Sequence, residues 1–174
     1  IGATPMKFGH HMWMPITPKP LQPGDEIRVI APSCPMAMFT PDQIKDNIER
    51  LEKYGYRVTI SKNASESNAF ESSSVESRVA DFHDAFFDPN VKLVLTAIGG
   101  HLSIQMLSSI DWNLIRDNPK LYCGYSDITA LPNAILAKCD LITYSGLHFS
   151  TFRLQQQFEY NAQSWLADMT TTDS

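Results

Sequence analysis

The chain has 174 residues, room for one domain with a full core and marginal for two. Lys and Arg number 14 against 19 Asp and Glu, a net charge of −5, so the surface lacks the positive field that gathers a phosphate backbone, which excludes general nucleic-acid binding. With 43% hydrophobic and 19% charged residues, the composition is that of a folding chain and not of a disordered one.

Residues 1–20 read as an irregular leader. The opening IGATPMKFGHHMWMP has no continuous apolar stretch before a small-residue cleavage site, and Pro15, Pro18, Pro20 and Pro23 favour extended backbone. Glu26–Ala31 (EIRVIA), bounded by Pro23-Gly24-Asp25 and Pro32, predicts a short buried strand. From Thr40 the period changes. Thr40 is a candidate N-cap, Pro41 suits the first helical position, Ile44, Ile48 and Leu51 share a face, and Gly55 ends the helix. Tyr56–Ile60 (YRVTI) is the second strand. The polar stretch SKNASESNAFESSS then reads as a surface loop.

Ser73 and Glu76 have capping-box spacing, and Val75, Val79, Phe82 and Phe86 fall on one helical face that Asp88-Pro89-Asn90 terminates. Val91–Ile98 (VKLVLTAI) is a nearly continuous apolar strand, the kind covered on both sides of a parallel sheet. Leu102–Ile110 and Asp111–Arg116 read as helical pieces, Lys120–Cys123 as a fourth strand, Asp127–Lys138 as mostly helical and Leu141–Tyr144 as a fifth strand. Strands separated by helices imply right-handed crossovers, hence an α/β fold of three layers: a mostly parallel sheet with helices on both faces. No apolar run approaches the ~18 residues needed to cross a bilayer. The three cysteines, Cys34, Cys123 and Cys139, form no CxxC pair and cannot make a fully paired disulfide scaffold, which suits a reducing cytoplasm.

In an open parallel sheet the ligand crevice lies beyond the carboxyl ends of the strands. Pro32-Ser33-Cys34, Gly99-Gly100-His101, Gly124-Tyr125-Ser126-Asp127 and Ser145-Gly146-Leu147-His148 occupy those places. The third is the most informative, because a serine in a tight turn between strand and helix holds its hydroxyl clear of the sheet beside helix-start amides, the geometry of a nucleophile elbow. The Asp127 amide and the backbone at Gly99-Gly100 are candidate donors to a developing oxyanion. Taken alone, however, G-x-S-D also describes a plain helix N-cap, and Ile128 replaces the second glycine of G-x-S-x-G.

A serine nucleophile needs a base, and His83, His101 and His148 are the candidates. His83 reads more simply as a solvated helical side chain, and the other two as loop or substrate-contact residues. Asp81, His83, Asp84 and Asp88 do not share one helix face, so no metal site is read there. The first turn lacks the glycines of a dinucleotide fingerprint and no phosphate-loop motif occurs.

Taken together, LQPGDEIRVIAPS, SSSVESRVADFHDAFFDPNVKLVLTAIGG, IDWNLIRDNPKLYCGYSDITALPNAI and LITYSGLHFSTF resemble the serine LD-carboxypeptidases, which include murein tetrapeptide carboxypeptidases and microcin C self-immunity peptidases. The likeness runs from about Leu21 to Phe152, and SSSVESR with TYSGLHFSTF is closer to the microcin-immunity branch. It implies a Rossmann- or flavodoxin-like N-terminal domain at residues 21–154, with residues 155–174 starting a linker to a C-terminal domain that has no counterpart in this chain. By the same resemblance Ser126 is the nucleophile, the backbone amides of Gly100 and Asp127 form the oxyanion hole, and a Glu and a His come from the second domain. Gly99, His101, Ser103 and Ser33 are the expected substrate-binding residues, with no metal and no cofactor.

The implied activity is cleavage of an amide bond through an acyl-enzyme, in the cytoplasm. The implied partner is a small peptide or a peptidyl or aminoacyl nucleotide, with no nucleic acid and no membrane; the chain alone is expected to be inactive. Two features depart from the family pattern. Pro132 falls inside the helix after the nucleophile, so that the helix restarts with Pro132 in its first turn, and His101 lies between the glycines and serine of the GGxxS loop. Aromatic residues such as Phe149, Phe152, Phe158 and Trp165 are expected to be uncovered without a second domain, favouring a homo-oligomer, in the simplest case a dimer. The competing reading is a non-catalytic remnant or small-ligand-binding α/β module.

Overall fold

Four of the apolar runs pair as strands in the computed structural model, which describes residues 15–68, 72–153 and 158–171. They are β1 (Glu26–Ile30), β2 (Arg57–Ile60), β3 (Val91–Thr96) and β4 (Leu121–Cys123). All pairings are parallel in the order β2-β1-β3-β4, with Ile27 opposite both Val58 and Leu93, and Leu93 opposite Leu121. The chain therefore reverses its direction of winding between β1 and β3, and the crevice at that reversal is where such sheets bind ligands.

Side-chain alternation along the strands divides the core in two. On one face Ile27, Val29, Leu93 and Leu95 pack with Leu51 of α1 (Pro41–Glu52), with Phe149 and Phe152, and with Trp165 and Met169 of α5 (Phe158–Thr170). On the other, Ile30, Val94 and Tyr122 meet Phe82 and Phe86 of α2 (Val75–Phe87), Ile115 of α3 (Trp112–Asp117), and Leu131 and Ile135 of α4 (Ala130–Cys139). The three-layer expectation holds, with helices on both sides of a parallel sheet.

The helix starts follow their capping chemistry. Thr40 accepts from the Gln43 amide while the Gln43 side chain accepts from the Thr40 amide, a complete capping box with Pro41 at the first helical position. Thr40→Ala is expected to cost about 1 kcal/mol, read as a lowered denaturation midpoint at unchanged m-value. The α2 cap lies one residue later than the sequence spacing predicts. Ser74, not Ser73, accepts from the Ser77 amide, because Ser73 turns inward and is buried. Pro132 is the third residue of α4, a first-turn position where a missing N–H leaves no helical bond unmade.

Several elements differ from expectation. Leu102–Ile110 forms only a short 3-10 turn at Ser103–Met106, and the nucleophile loop begins with another at Ser126–Thr129 before α4. Leu141–Tyr144 is not a strand: it makes isolated bridges, Leu141 to Ile16 and Tyr144 to Cys123, with no continuous ladder. Ile16, expected in the irregular leader, donates to the Asp140 carbonyl and accepts from Ile142, so the chain is tied to the fold at that residue; residues 1–14 lie outside the described residues.

The polar SKNASESNAFESSS stretch is no mere surface loop either. Ala64, Ser72 and Ser73 are buried, and Asn63 donates to Asp81 through its amide and its side chain. Asp81 is correspondingly a buried structural acceptor, and burial pushes its carboxyl up against those hydrogen bonds. At the end of the sheet far from the strand carboxyl termini, the buried Glu26 binds Arg28, Arg57 and Thr59.

The aromatic residues expected on the surface are largely internal. Phe149 and Phe152 are fully buried, and Trp165 packs edge-on to Phe152 with centroids 5.2 Å apart and donates from Nε1 to Cys123 Sγ at 3.4 Å. The segment carrying Trp165 is thus a helix docked on its own sheet, and these three residues offer no exposed patch for a second copy. The Phe158 side chain lies outside the described residues. No helix among the described residues is long and apolar enough to cross a membrane.

Candidate active site

Three strand-end loops converge beyond the carboxyl edges of β1, β3 and β4. After β4, Gly124 allows a close turn: a Cβ there would stand 2.1 Å from both Ile128 Cδ1 and Thr96 Oγ1. Two residues later Ser126 adopts φ +66°, a left-handed conformation rarely taken by a residue with a side chain, and it is exposed at the start of the 3-10 turn. A strained, exposed serine at a strand-to-helix turn is the arrangement that presents a hydroxyl for attack. As first residues of that turn, Ser126 and Asp127 bring amides that have no partner in the turn itself.

The loop after β3 lies directly against this serine. A Cβ on Gly99 would be 3.0 Å from Ser126 Oγ and 3.6 Å from His148 Nε2, so a side chain there would crowd the serine. Gly100 has φ +150°, and a Cβ there would meet Ser33 Oγ at 2.3 Å and Cys34 Sγ at 2.7 Å. Gly100 is thus required both by close approach and by its backbone, while Gly99 packs tightly against the serine.

Ser33, after β1, locks the arrangement. It is fully buried, and its hydroxyl oxygen accepts from the amides of His101 at 3.0 Å and Leu102 at 3.1 Å while its proton goes to the Asp127 carboxylate. Ser103 adds two bonds: its amide donates to Asp127 Oδ2 at 3.0 Å and its hydroxyl to the Asp127 carbonyl at 2.8 Å. Burial alone would raise the Asp127 carboxyl, but these donors outweigh it and hold it below the usual carboxylate range. The Asp127 side chain is therefore the peg that fastens the nucleophile turn to the loops after β1 and β3.

Arg78 of α2 and Ser72 were not singled out by the sequence. The Arg78 guanidinium is buried and donates to the carbonyls of Pro32 and Leu102 and to Gln105 Oε1, and Ser72 Oγ donates to the Ser33 carbonyl at 2.6 Å. An Arg on an amphipathic helix and a Ser in a polar run carry no local signal for such contacts. His101 is exposed and lines a cavity of about 400 Å3 with Ser72, Arg78, Leu102 and Gln105, next to the glycine loop.

The three candidate bases separate clearly. His83 is half-buried, not solvated: its Nε2 accepts from the Asp111 amide at the start of α3, and burial lowers its pKa. His148 is 2% exposed, with Nδ1 2.7 Å from Thr96 Oγ1 and its ring 4.2 Å from that of Tyr125. Burial pushes its imidazole down to about 4, against a partial pull from the Tyr125 and Thr96 backbone, so it is neutral near pH 7. Among the described residues, no group of three or more His, Cys, Asp or Glu side chains gathers where it could hold a metal ion.

The family profile described as "LD-carboxypeptidase N-terminal domain" matches residues 27–146. An MccF-like protein from Bacillus anthracis str. Ames is 48% identical and superimposes with a TM-score of 0.88, over 90% of this chain and 47% of that one. The microcin C7 self-immunity protein MccF of Escherichia coli is 30% identical over 132 residues, 76% of this chain and 38% of that protein. A structure of MccF in complex with aspartyl sulfamoyl adenosine superimposes with a TM-score of 0.86 at 26% identity, over 92% of this chain and 48% of that one. The chain spans less than half the length of the curated relatives it matches.

Proposed function

The chain belongs to the LD-carboxypeptidase family, matching its N-terminal domain, and on that premise we propose that it carries the nucleophilic half of a serine peptidase. The observation that carries this reading is Ser126: exposed, strained at φ +66°, and faced at 3.0 Å by the position a Gly99 side chain would occupy.

In this mechanism Ser126 Oγ attacks the scissile carbonyl carbon. The new C–O bond forms as the carbonyl π pair moves onto oxygen, and the resulting oxyanion lies between the amides of Gly100 and Asp127. The tetrahedral intermediate expels the amine, which leaves with a proton from the conjugate acid of the base, and water then hydrolyses the acyl-enzyme. The base and its carboxylate partner are assigned to the rest of the enzyme, because a histidine titrating at about 4 is a poor acceptor of a serine proton at neutral pH. Turnover by this chain alone is accordingly expected to be negligible.

Ser33 and Ser103, first expected to touch substrate, are assigned positioning roles, since both are fully buried and their hydroxyls are occupied within the loop layer. Gly99 and His101 keep the substrate-facing assignment. The substrate class is a small peptide or an aminoacyl or peptidyl nucleotide, the second supported by the aspartyl sulfamoyl adenosine that MccF binds. A cytoplasmic setting completes the proposal. The test is mass spectrometry of the full-length protein treated with a fluorophosphonate. Stoichiometric modification of Ser126 is expected; absence of labelling there would overturn the assignment.

A further inference from the structure

The peptide that carries the Gly100 amide can be traced back into the core. Gly100 is exposed, and among the described residues its amide finds no backbone acceptor. Its direction is set instead through the carbonyl of the same peptide. The Gly99 carbonyl accepts from the Cys34 amide at 3.3 Å, and no described peptide bond is cis, so the Gly100 N–H leaves the shared plane on the side opposite to Cys34. The Cys34 amide belongs in turn to the Ser33–Cys34 peptide, whose carbonyl accepts from Ser72 Oγ at 2.6 Å.

Outward from the core, these bonds form a chain of one hydroxyl and two peptides. The Ser72 hydroxyl donates to the Ser33 carbonyl, the Cys34 amide donates to the Gly99 carbonyl, and the Gly100 amide is left at the crevice. Every link donates in the same sense, so the dipoles align, and a peptide whose carbonyl is engaged is a stronger donor at its own N–H. The head of the chain sits inside the protein, since Ser72 is 2% exposed. Beside it, Arg78 Nη1 donates to the Pro32 carbonyl at 3.1 Å and to the Leu102 carbonyl at 2.9 Å, so one nitrogen ties the loop after β1 to the loop after β3. The bond from Cys34 to Gly99 crosses between the same two loops.

We propose that Ser72 is a positioning residue for the oxyanion hole: through the Ser33–Cys34 and Gly99–Gly100 peptides it sets the direction of the Gly100 N–H and strengthens it as a donor. This rests on Ser126 being the nucleophile and the Gly100 amide an oxyanion donor. Ser72 exchanges no proton with the substrate, and its hydroxyl stays on the Ser33 carbonyl throughout. A donor strengthened in this way gains most where negative charge develops on the carbonyl oxygen, so the effect belongs to the chemical step and not to binding.

The test follows modification of the full-length protein by a fluorophosphonate at several reagent concentrations. Ser126 Oγ forms a bond to phosphorus as fluoride leaves, the serine proton passes to the base in the rest of the enzyme, and the phosphoryl oxygen takes the place of the oxyanion. Ser72→Ala is expected to lower the maximal rate about fivefold at a nearly unchanged half-saturating concentration, a fraction of the roughly 10^2- to 10^3-fold that loss of a whole oxyanion donor costs. Ser72→Cys, which fills the same space with a weaker donor, should fall in the same direction. In a Gly100→Ala background either change should cost less than about twofold more, because the amide on which Ser72 acts is already displaced. The wild-type rate in folded Ser72→Ala, or an undiminished loss in the Gly100→Ala background, overturns the proposal; should Ser72→Ala not fold, Ser72→Cys is judged by the same two results. If Ser126→Ala is not labelled and Gly100→Ala reacts slowly while Ser72→Ala matches wild type, only this inference fails. If Ser126→Ala is labelled like wild type, or Gly100→Ala reacts at the wild-type rate, the assignment beneath it fails.

Discussion

Ser126→Ala in the full-length protein is expected to lower peptidase turnover by roughly 10^4-fold or more, because without the hydroxyl no acyl-enzyme can form and only binding and oxyanion stabilisation remain. Ser126→Gly separates chemistry from structure. It should be equally inactive yet more stable by about 1 kcal/mol, since glycine adopts the left-handed backbone without the contact that a Cβ makes with its own carbonyl. Steady-state kinetics and denaturant titration read the two effects independently. Retention of turnover in either variant would remove Ser126 from the mechanism. Unchanged stability in Ser126→Gly would mean that φ +66° stores no strain.

The second large effect is expected at Gly100. An added methyl would fall 2.3 Å from Ser33 Oγ and 2.7 Å from Cys34 Sγ, on a backbone at φ +150° that side chains rarely adopt. Ser33 cannot retreat freely, because its oxygen already receives the amides of His101 and Leu102. The β3 loop must therefore move, taking its oxyanion donor with it. Gly100→Ala is expected to reduce kcat by roughly 10^2 to 10^3, the scale of losing one such donor, with a smaller change in KM. Ser126→Ala and Gly100→Ala act on the same transition state, so their combination should cost no more than Ser126→Ala alone. Near-wild-type kcat in Gly100→Ala would exclude this amide from the oxyanion hole.

Local sequence reported the frame of the fold more faithfully than the site. Thr40, Pro41 and Gln43 announce α1 because a cap and its reciprocal acceptor are three residues apart. Parallel strands were legible from short apolar runs, except at Leu141–Tyr144, where isolated bridges replace a ladder and composition cannot tell the two apart. Ser73 and Ser74 show the limit of motif spacing, since both suit a cap and only burial of the first decides.

In the site, Gly124-Tyr125-Ser126-Asp127 identified the turn but could not distinguish nucleophile from cap, and the wider resemblance favoured the former. The fastening of the turn was not legible. Ser33 reaches an amide 68 positions along the chain, and His148 meets Thr96 across 52. Bonds at that separation leave no periodic trace, so Ser33 and Ser103 looked like residues for substrate and Arg78 and Ser72 like ordinary helix and loop residues. The aromatic tail was misjudged for a related reason: whether Trp165 covers its own sheet or another copy depends on where α5 returns, which spacing does not encode.

One consequence of the Ser33 knot concerns opening, not turnover. His101 is exposed and would ordinarily trade its amide proton with water within the lifetime of a loop fluctuation. Here that amide and its neighbour at Leu102 end on an oxygen sealed inside the protein. Their deuterium uptake should consequently be slow and simultaneous, and should quicken together in Ser33→Ala, because the rim of the crevice can come apart only as a unit.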